Sequence, residues 1–321
     1  MKHLIYPELQ GTITATSENA NYPATNLVDS IRKNKWKAVD DVQSATLRVP
    51  IAGTATTPGA VLGLDNTNAE TAIISITLDS SEKAFRVGDA VDLGGGLVKL
   101  PVTDHLMVAG NVALINGTAN YDGVHTLPSQ AAGDAINLVI TASFVAETFA
   151  ITDTACVVIQ TTTHSLGTGM RAFSSFWEEY TSQTAAHTAT IKLTAGTGET
   201  VEAGIVRAGG LVTIKNPGRN PTETPVKFHI VIPYKSGTKY RKKIYEVREF
   251  SYQMIMDRDT LFRDLQFVCD YYGPDPFMML LTDNMDDDNP WIVFGEIIDG
   301  PGAGHELPAD SVVNMTIREV V

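Results

Sequence analysis

Four aspartates crowd the stretch DNMDDDNP: Asp283, Asp286, Asp287 and Asp288. Carboxylates this close together can hold a hard cation through oxygen ligands. The stretch lacks the sixth-position glycine and twelfth-position glutamate of an EF-hand loop, so the expectation is a solvated turn between two strands with no metal. A second stretch has the opposite sign. YKSGTKYRKKIYEVREF interleaves Lys235, Lys239, Arg241, Lys242, Lys243 and Arg248 with Tyr234, Tyr240, Tyr245 and Phe250. Such a mixture serves single-stranded nucleic acid or a protein interface, where Tyr and Arg are the usual anchors.

Net charge decides between these. The 321-residue chain carries −13, and a sequence-independent nucleic-acid binder needs a surplus of Lys and Arg to neutralise phosphates. The basic ribbon is therefore expected to meet an acidic protein surface, and the acidic loop of a second copy would be one. The candidate interface is Lys239, Arg241, Lys242, Lys243 and Tyr245 on one side, with Asp286, Asp287 and Asp288 on the other.

Catalytic patterns are missing at the sequence level. His3, His105, His125, His164, His187, His229 and His305 are scattered, and none forms the i, i+4 helical pair around a carboxylate that zinc hydrolysis uses. There is no G-x-S-x-G elbow. The glycines of VDLGGGLV lack the Lys-Ser/Thr partner of a phosphate-cradling loop and read as a turn. Catalysis would need two carboxylates joined only by the fold; the expectation is no enzyme, no catalytic residue and no cofactor. Cys156 and Cys269 lie in apolar runs and read as two lone core thiols.

The elements that must position these residues are mostly short strands. After a strand candidate at the start, NYPATNLVDSIRKNKWKA (21–38) combines a polar turn, a brief helical spacing at Leu27, Val28 and Ile31, and one tryptophan, Trp36, expected in the core in preference to the rim, where its face would stack on a sugar. ATLRVPI, AVLGLDNTN and TAIISITL then read as strands of an antiparallel sandwich. Residues 81–150 change texture: very short strands between glycine turns, with Asp122-Gly123 in NYDGVHT as a hairpin signal. This suits a small β-barrel of its own, inserted in a larger fold. CVVIQTTT, ATIKLTA, VEAGIVRAGGLVTI and VKFHIVIPY return to the sandwich, with Gly209-Gly210 marking a bend or turn. A helix is expected over 257–272, where Leu261, Leu265, Val268 and Tyr272 share a face, ended by Gly273-Pro274. PFMMLLT and WIVFGEII follow as strands.

The fold expected is thus mainly β: a sandwich from 1–80 plus 151–235, the inserted barrel at 81–150, and a C-terminal α+β segment at 236–321 that docks on the sandwich or on neighbours. MKHLIYPELQ has no apolar stretch of signal-peptide length, and no run reaches a membrane span, so folding in a cytoplasm is expected.

YPATNLVD (22–29) followed by Trp36 and the NTNA segment (66–69) resembles the start of the discoidin-like, or galactose-binding-like, jelly rolls of bacteriophage virion proteins. INGTANYDGVHT with DAINLVITASFVAETF resembles a small β module of phage structural proteins. VEAGIVRAGGLVTIKNP is similar to the later strands of the sandwich, and the C-terminal part resembles the end of phage tail proteins. The resemblance implies a discoidin-like jelly roll in a structural protein of a phage tail tip, baseplate or fibre-attachment region. It implies partners that are copies of the chain, as a trimer or hexamer, and other tail proteins. It implies location in the virion after synthesis in the host cytoplasm. It also admits a receptor- or glycan-binding tail protein, without assigning residues to a sugar, and more remotely a polysaccharide-degrading enzyme.

Overall fold

Alternation at period two shapes most of this chain. In the strand Ser44–Ile51, Ala45, Leu47, Val49 and Ile51 are buried while the residues between them face outward. The computed structural model describes the chain except residues 1, 30–33, 54–58, 106, 108–109, 129–135, 167–173, 182, 215–221, 234–238, 258–270, 273–274, 281–291, 305–309 and 321. At residues 2, 214, 222–223, 227–233, 239–246, 252–257, 299–304 and 310–313 it describes the backbone alone. The protein is mainly β, and every described strand pairing is antiparallel.

Two sheets face each other. One has nine strands, ordered Ser174–Thr181, Gly59–Thr67, Ile205–Ile214, Lys2–Glu8, Phe277–Leu280, Ile292–Gly304, Asp310–Glu319, Lys239–Asp257 and Thr222–Pro233. The other runs Gly123–Thr126, Val112–Asn116, Thr154–Ser165, Ala69–Leu78, His187–Ala195, Ser44–Ile51 and Thr14–Ala15, with Lys83–Ala84 also paired to Thr154–Ser165. Between them lies a core of Leu47, Leu62, Ile74, Phe176, Ile191 and Val206, among others. The opening segment closes one end of it. The 3₁₀ turn Ala24–Val28 lowers Ala24 and Leu27 into this core beside a fully buried Trp36, and the Asn26 side-chain amide donates to the Lys35 carbonyl at 2.8 Å.

The nine-stranded sheet also buries its opposite face. Ile5, Val61, Trp177, Ile205, Met278 and Phe294 form a second core there. Gly63 and Met278 belong to strands that are not neighbours, yet a Cβ on Gly63 would run into the Met278 sulfur. The sheet therefore curls over itself. Gly209-Gly210, expected as a bend, sits inside the continuous strand Ile205–Ile214. Neither glycine has a positive φ. Gly209 is needed for room, because its Cβ would fall on the Pro7 carbonyl, where the pairing of Lys2–Glu8 bulges.

Residues 81–150 gather their own core: Phe85, Val98, Tyr121, Leu138, Ile140 and Phe149. Three short ladders surround it: Leu97–Leu100 between Val91–Gly94 and Leu138–Thr141, Gly88–Asp89 with Thr148–Phe149, and Val112–Asn116 with Gly123–Thr126. The last ladder continues onto Thr154–Ser165 and joins the inserted module to the sandwich. Its turn is longer than Asp122-Gly123 alone. Gly117 and Gly123, both at positive φ, bracket it, and Asp122 accepts from the Thr118 amide at 2.7 Å. Of the helix expected over 257–272, Asp257 instead ends the strand Lys239–Asp257, paired with Asp310, residues 258–270 lie outside the described residues, and Tyr271 and Tyr272 have helical backbone.

Candidate functional site

The basic ribbon occupies one hairpin at the far edge of the nine-stranded sheet. Lys239 is opposite Pro233, Arg241 opposite Val231, Lys242 opposite Ile230, Lys243 opposite His229 and Tyr245 opposite Phe228. Lys239–Asp257 meets its other neighbour, Asp310–Glu319, only from Glu249 to Asp257. Among the described strands, 239–248 is therefore flanked on one side alone, and Thr222–Pro233 is the outermost strand. The hairpin projects as a two-stranded arm. The side chains of Lys239, Arg241, Lys242, Lys243 and Tyr245 lie outside the described residues, as do Asp283, Asp286, Asp287 and Asp288 altogether.

The described buried carboxylates are engaged by donors. Glu178 accepts from the Gln160 amide at 2.5 Å, the Thr162 hydroxyl at 2.7 Å and His164 Nε2 at 2.8 Å. Gln160, Thr162 and His164 alternate along one strand and so share one face. Burial would raise this carboxyl, but the hydrogen bonds from His164, Thr162 and Gln160, with the His164 charge, outweigh it and hold the group low. Glu179, next in sequence, points the other way to His3 at 3.1 Å and the Trp177 indole at 3.0 Å. Opposite faces of one strand keep the two acids apart. Among the described residues no cluster of three or more His, Cys, Asp or Glu is placed to hold a metal.

The described histidines are likewise tied into the fold. His187 Nδ1 donates to the Ala185 carbonyl at 3.1 Å, so Nε2 accepts from the buried Tyr180 hydroxyl at 2.8 Å. His105 and His125 bond to backbone carbonyls at 2.9 Å. Cys156 is buried, and burial pushes its thiol up to about 11; Cys269 lies outside the described residues.

A feature not singled out in the sequence lies on the inserted module. Val87, Val91, Leu93, Phe144, Val145 and Ile151 are exposed there, Val87 at 75%. Four of them belong together. The segment Ala142–Glu147 is tethered at one end by the Ala142 amide to the Gly96 carbonyl, and at the other by the Ala90 amide to the Glu147 carbonyl. The segment therefore spans the same stretch as Val91–Gly94, the strand whose Val91 and Leu93 share one face, and the Tyr121 hydroxyl holds the Val145 amide and carbonyl. Asp89 and Glu147 flank these two segments, and Asp92 alternates with Val91 and Leu93 onto the other face of its strand. Their carboxylates are held by the Thr148 hydroxyl, the Gly94 amide and the Ala119 and Asn120 amides. The signal was present in VDLGG and TASFVAETF, where apolar residues continue through stretches too short and glycine-rich to bury them on both faces.

No known protein family matches the chain, and no curated protein does. Among solved structures it is similar to chitosan-binding module 1 derived from a chitosanase/glucanase of Paenibacillus sp. IK-5. That likeness covers 63% of this chain and 97% of the module, at 13% identity and a TM-score of 0.28. A selenomethionine-labelled mutant of the same module matches over 64% of this chain and 99% of its own, at 14% identity and a TM-score of 0.28.

Proposed function

We propose that this protein is a non-enzymatic structural subunit of a bacteriophage tail, at the tip, baseplate or fibre-attachment region, which assembles with copies of itself and with other tail proteins. The discoidin-like jelly roll and the tail context come from the resemblance of YPATNLVD, Trp36 and the later segments. The observation that carries the assembly reading is the exposed apolar face of Val91, Leu93, Phe144 and Val145. Exposed apolar side chains gathered on one module are what subunit contacts look like before they close. The projecting arm supports the same reading, because a two-stranded ribbon is marginal in water until something packs against it.

The test is imaging and mass spectrometry of purified particles of the phage that carries this sequence. Several copies per particle, placed symmetrically in the tail, are expected. Particles that lack the protein would overturn the tail assignment.

A second reading, a tail protein that binds a host-surface glycan, is favoured by Tyr271. Its ring is half exposed and lies perpendicular to Tyr6 at 4.8 Å and to Tyr272 at 5.1 Å between centroids, an exposed aromatic of the kind that stacks on sugars. Binding of the purified protein to a glycan array, lost in Tyr271→Ala, would support it; a blank array would remove it.

A further inference from the structure

We infer that the arm formed by Thr222–Pro233 and the first half of Lys239–Asp257 seats on the inserted module of a second copy of this chain, against Val91, Leu93, Phe144 and Val145. This rests on the assembly reading above and names its contact. Three observations converge on that occupant.

The first is the arm's incompleteness. Among the described strands, Pro225–Pro233 and Lys239–Val247 pair with each other alone, since the next strand reaches no further than Glu249. Roughly nine residues on each strand project about 30 Å beyond the sheet at ~3.4 Å per residue. A ribbon of that length that no further described strand borders is a ready template for association.

The second is charge. Across 222–233 and 239–248 the sequence holds six Lys or Arg and two Glu, in a chain whose total is −13. Arm against arm would repel, which disfavours a two-fold contact between arms. The inserted module, 81–150, holds seven Asp or Glu and three Lys or Arg. Opposite net signs on two parts of one molecule favour a head-to-tail contact between copies.

The third is the receiving face. Four exposed apolar side chains, Val91, Leu93, Phe144 and Val145, lie on segments that also carry Asp89, Asp92 and Glu147. The arm sequence offers Phe228, Ile230, Tyr240 and Tyr245 interleaved with its cations. Apolar residues mixed with acids in one segment complement apolar residues mixed with cations in the other. Such a contact is heterologous, so repetition closes a ring or extends a filament.

The experiment uses the full chain and compares three proteins by light scattering over a range of concentration and salt. Lys242→Glu with Lys243→Glu reverses the arm; Asp89→Lys with Asp92→Lys reverses the module. Wild type is expected to self-associate, more weakly at high salt, and each reversed protein is expected to lose roughly tenfold or more in association. Mixing the two reversed proteins is expected to restore a complex, because each supplies the partner surface that the other needs. That restoration also shows that both variants are folded. Leu93→Glu, which leaves Asp89 and Asp92 in place, is expected to weaken association as well. The inference is overturned if wild type stays monomeric to millimolar concentration, if mixing restores nothing, or if reversal of Asp286, Asp287 and Asp288 complements the arm instead. Particle imaging separates the two ideas: a protein present in the tail whose association ignores these reversals sinks the contact alone. Restored mixing with no particle association sinks the tail reading alone.

Discussion

The Arg207 guanidinium lies 5.0 Å from the centre of the Phe294 ring, and this contact joins the sandwich to the C-terminal strands. Arg207 is 3% exposed. It donates to the Leu27 carbonyl at 3.2 Å, the Val206 carbonyl at 3.0 Å and the Asp29 carbonyl at 3.1 Å, and it approaches Glu8 at 3.1 Å. One side chain thus ties the opening segment, the first strand and the strand Ile292–Gly304 into a single node.

Removing that guanidinium strands Glu8 and three carbonyls. Arg207→Ala is expected to lower unfolding free energy by about 3–5 kcal/mol, the range for breaking one partner of a buried ion pair. Arg207→Lys should recover only part of it, since an ammonium cannot match the planar fork. Urea denaturation of the three proteins checks both values.

Acid should weaken the fold in two stages. Burial depresses the His187 imidazolium, partly offset by the Ala185 carbonyl and by Asp79. Its folded value lies below the unfolded one, so the unfolded chain takes up the proton first. The stability it contributes is full above roughly pH 6.5 and is lost as pH falls through the folded value. Glu178 is also held low, so its contribution is full above roughly pH 4.3 and disappears further down. His187→Gln should flatten the first stage and leave the second. Melting temperature measured from pH 8 to pH 3 would show this.

Gly209→Ala places a methyl on the Pro7 carbonyl, a backbone atom that cannot rotate away. A loss of about 1–3 kcal/mol is expected. The neighbouring Gly59, whose Cβ would meet only the Leu211 side chain at 3.1 Å, should tolerate alanine better. Paired denaturation curves test the contrast, and equal losses would refute it.

The inserted module should melt by itself. Phe149 packs on Phe85 at 4.9 Å and Tyr121 at 5.9 Å between centroids, inside a core separate from that of the sandwich. Phe149→Ala should cost about 3–5 kcal/mol, felt locally. Hydrogen exchange should speed up at Leu97–Leu100 and Leu138–Thr141 and stay slow at His187–Ala195.

Much of the β architecture was legible in the sequence because alternation is a local property. Ser44–Ile51, Ala69–Leu78 and His187–Ala195 fall where ATLRVPI, TAIISITL and ATIKLTA alternate. Trp36 was legible as a core residue for the same reason: it is a large aromatic among strand runs. What the sequence hid was non-local. Gly209-Gly210 looks like a bend until Pro7, from a distant strand, is seen pressing on it. Glu178 looks like any surface acid until Gln160, Thr162 and His164 close around it from the other sheet. The face of Val91, Leu93, Phe144 and Val145 depends on two hydrogen bonds that fold one loop alongside a strand, and no periodicity encodes them.

The strand Lys2–Glu8 is bordered by Ile205–Ile214 on one flank and Phe277–Leu280 on the other, and the Tyr272 hydroxyl bonds to the Ile5 carbonyl across 267 residues of chain. Leu4 and Ile5 thus find their shelter in strands that follow them far along the chain. Closing contacts this distant in sequence slows folding, so the first strand of the sheet is among the last to be enclosed.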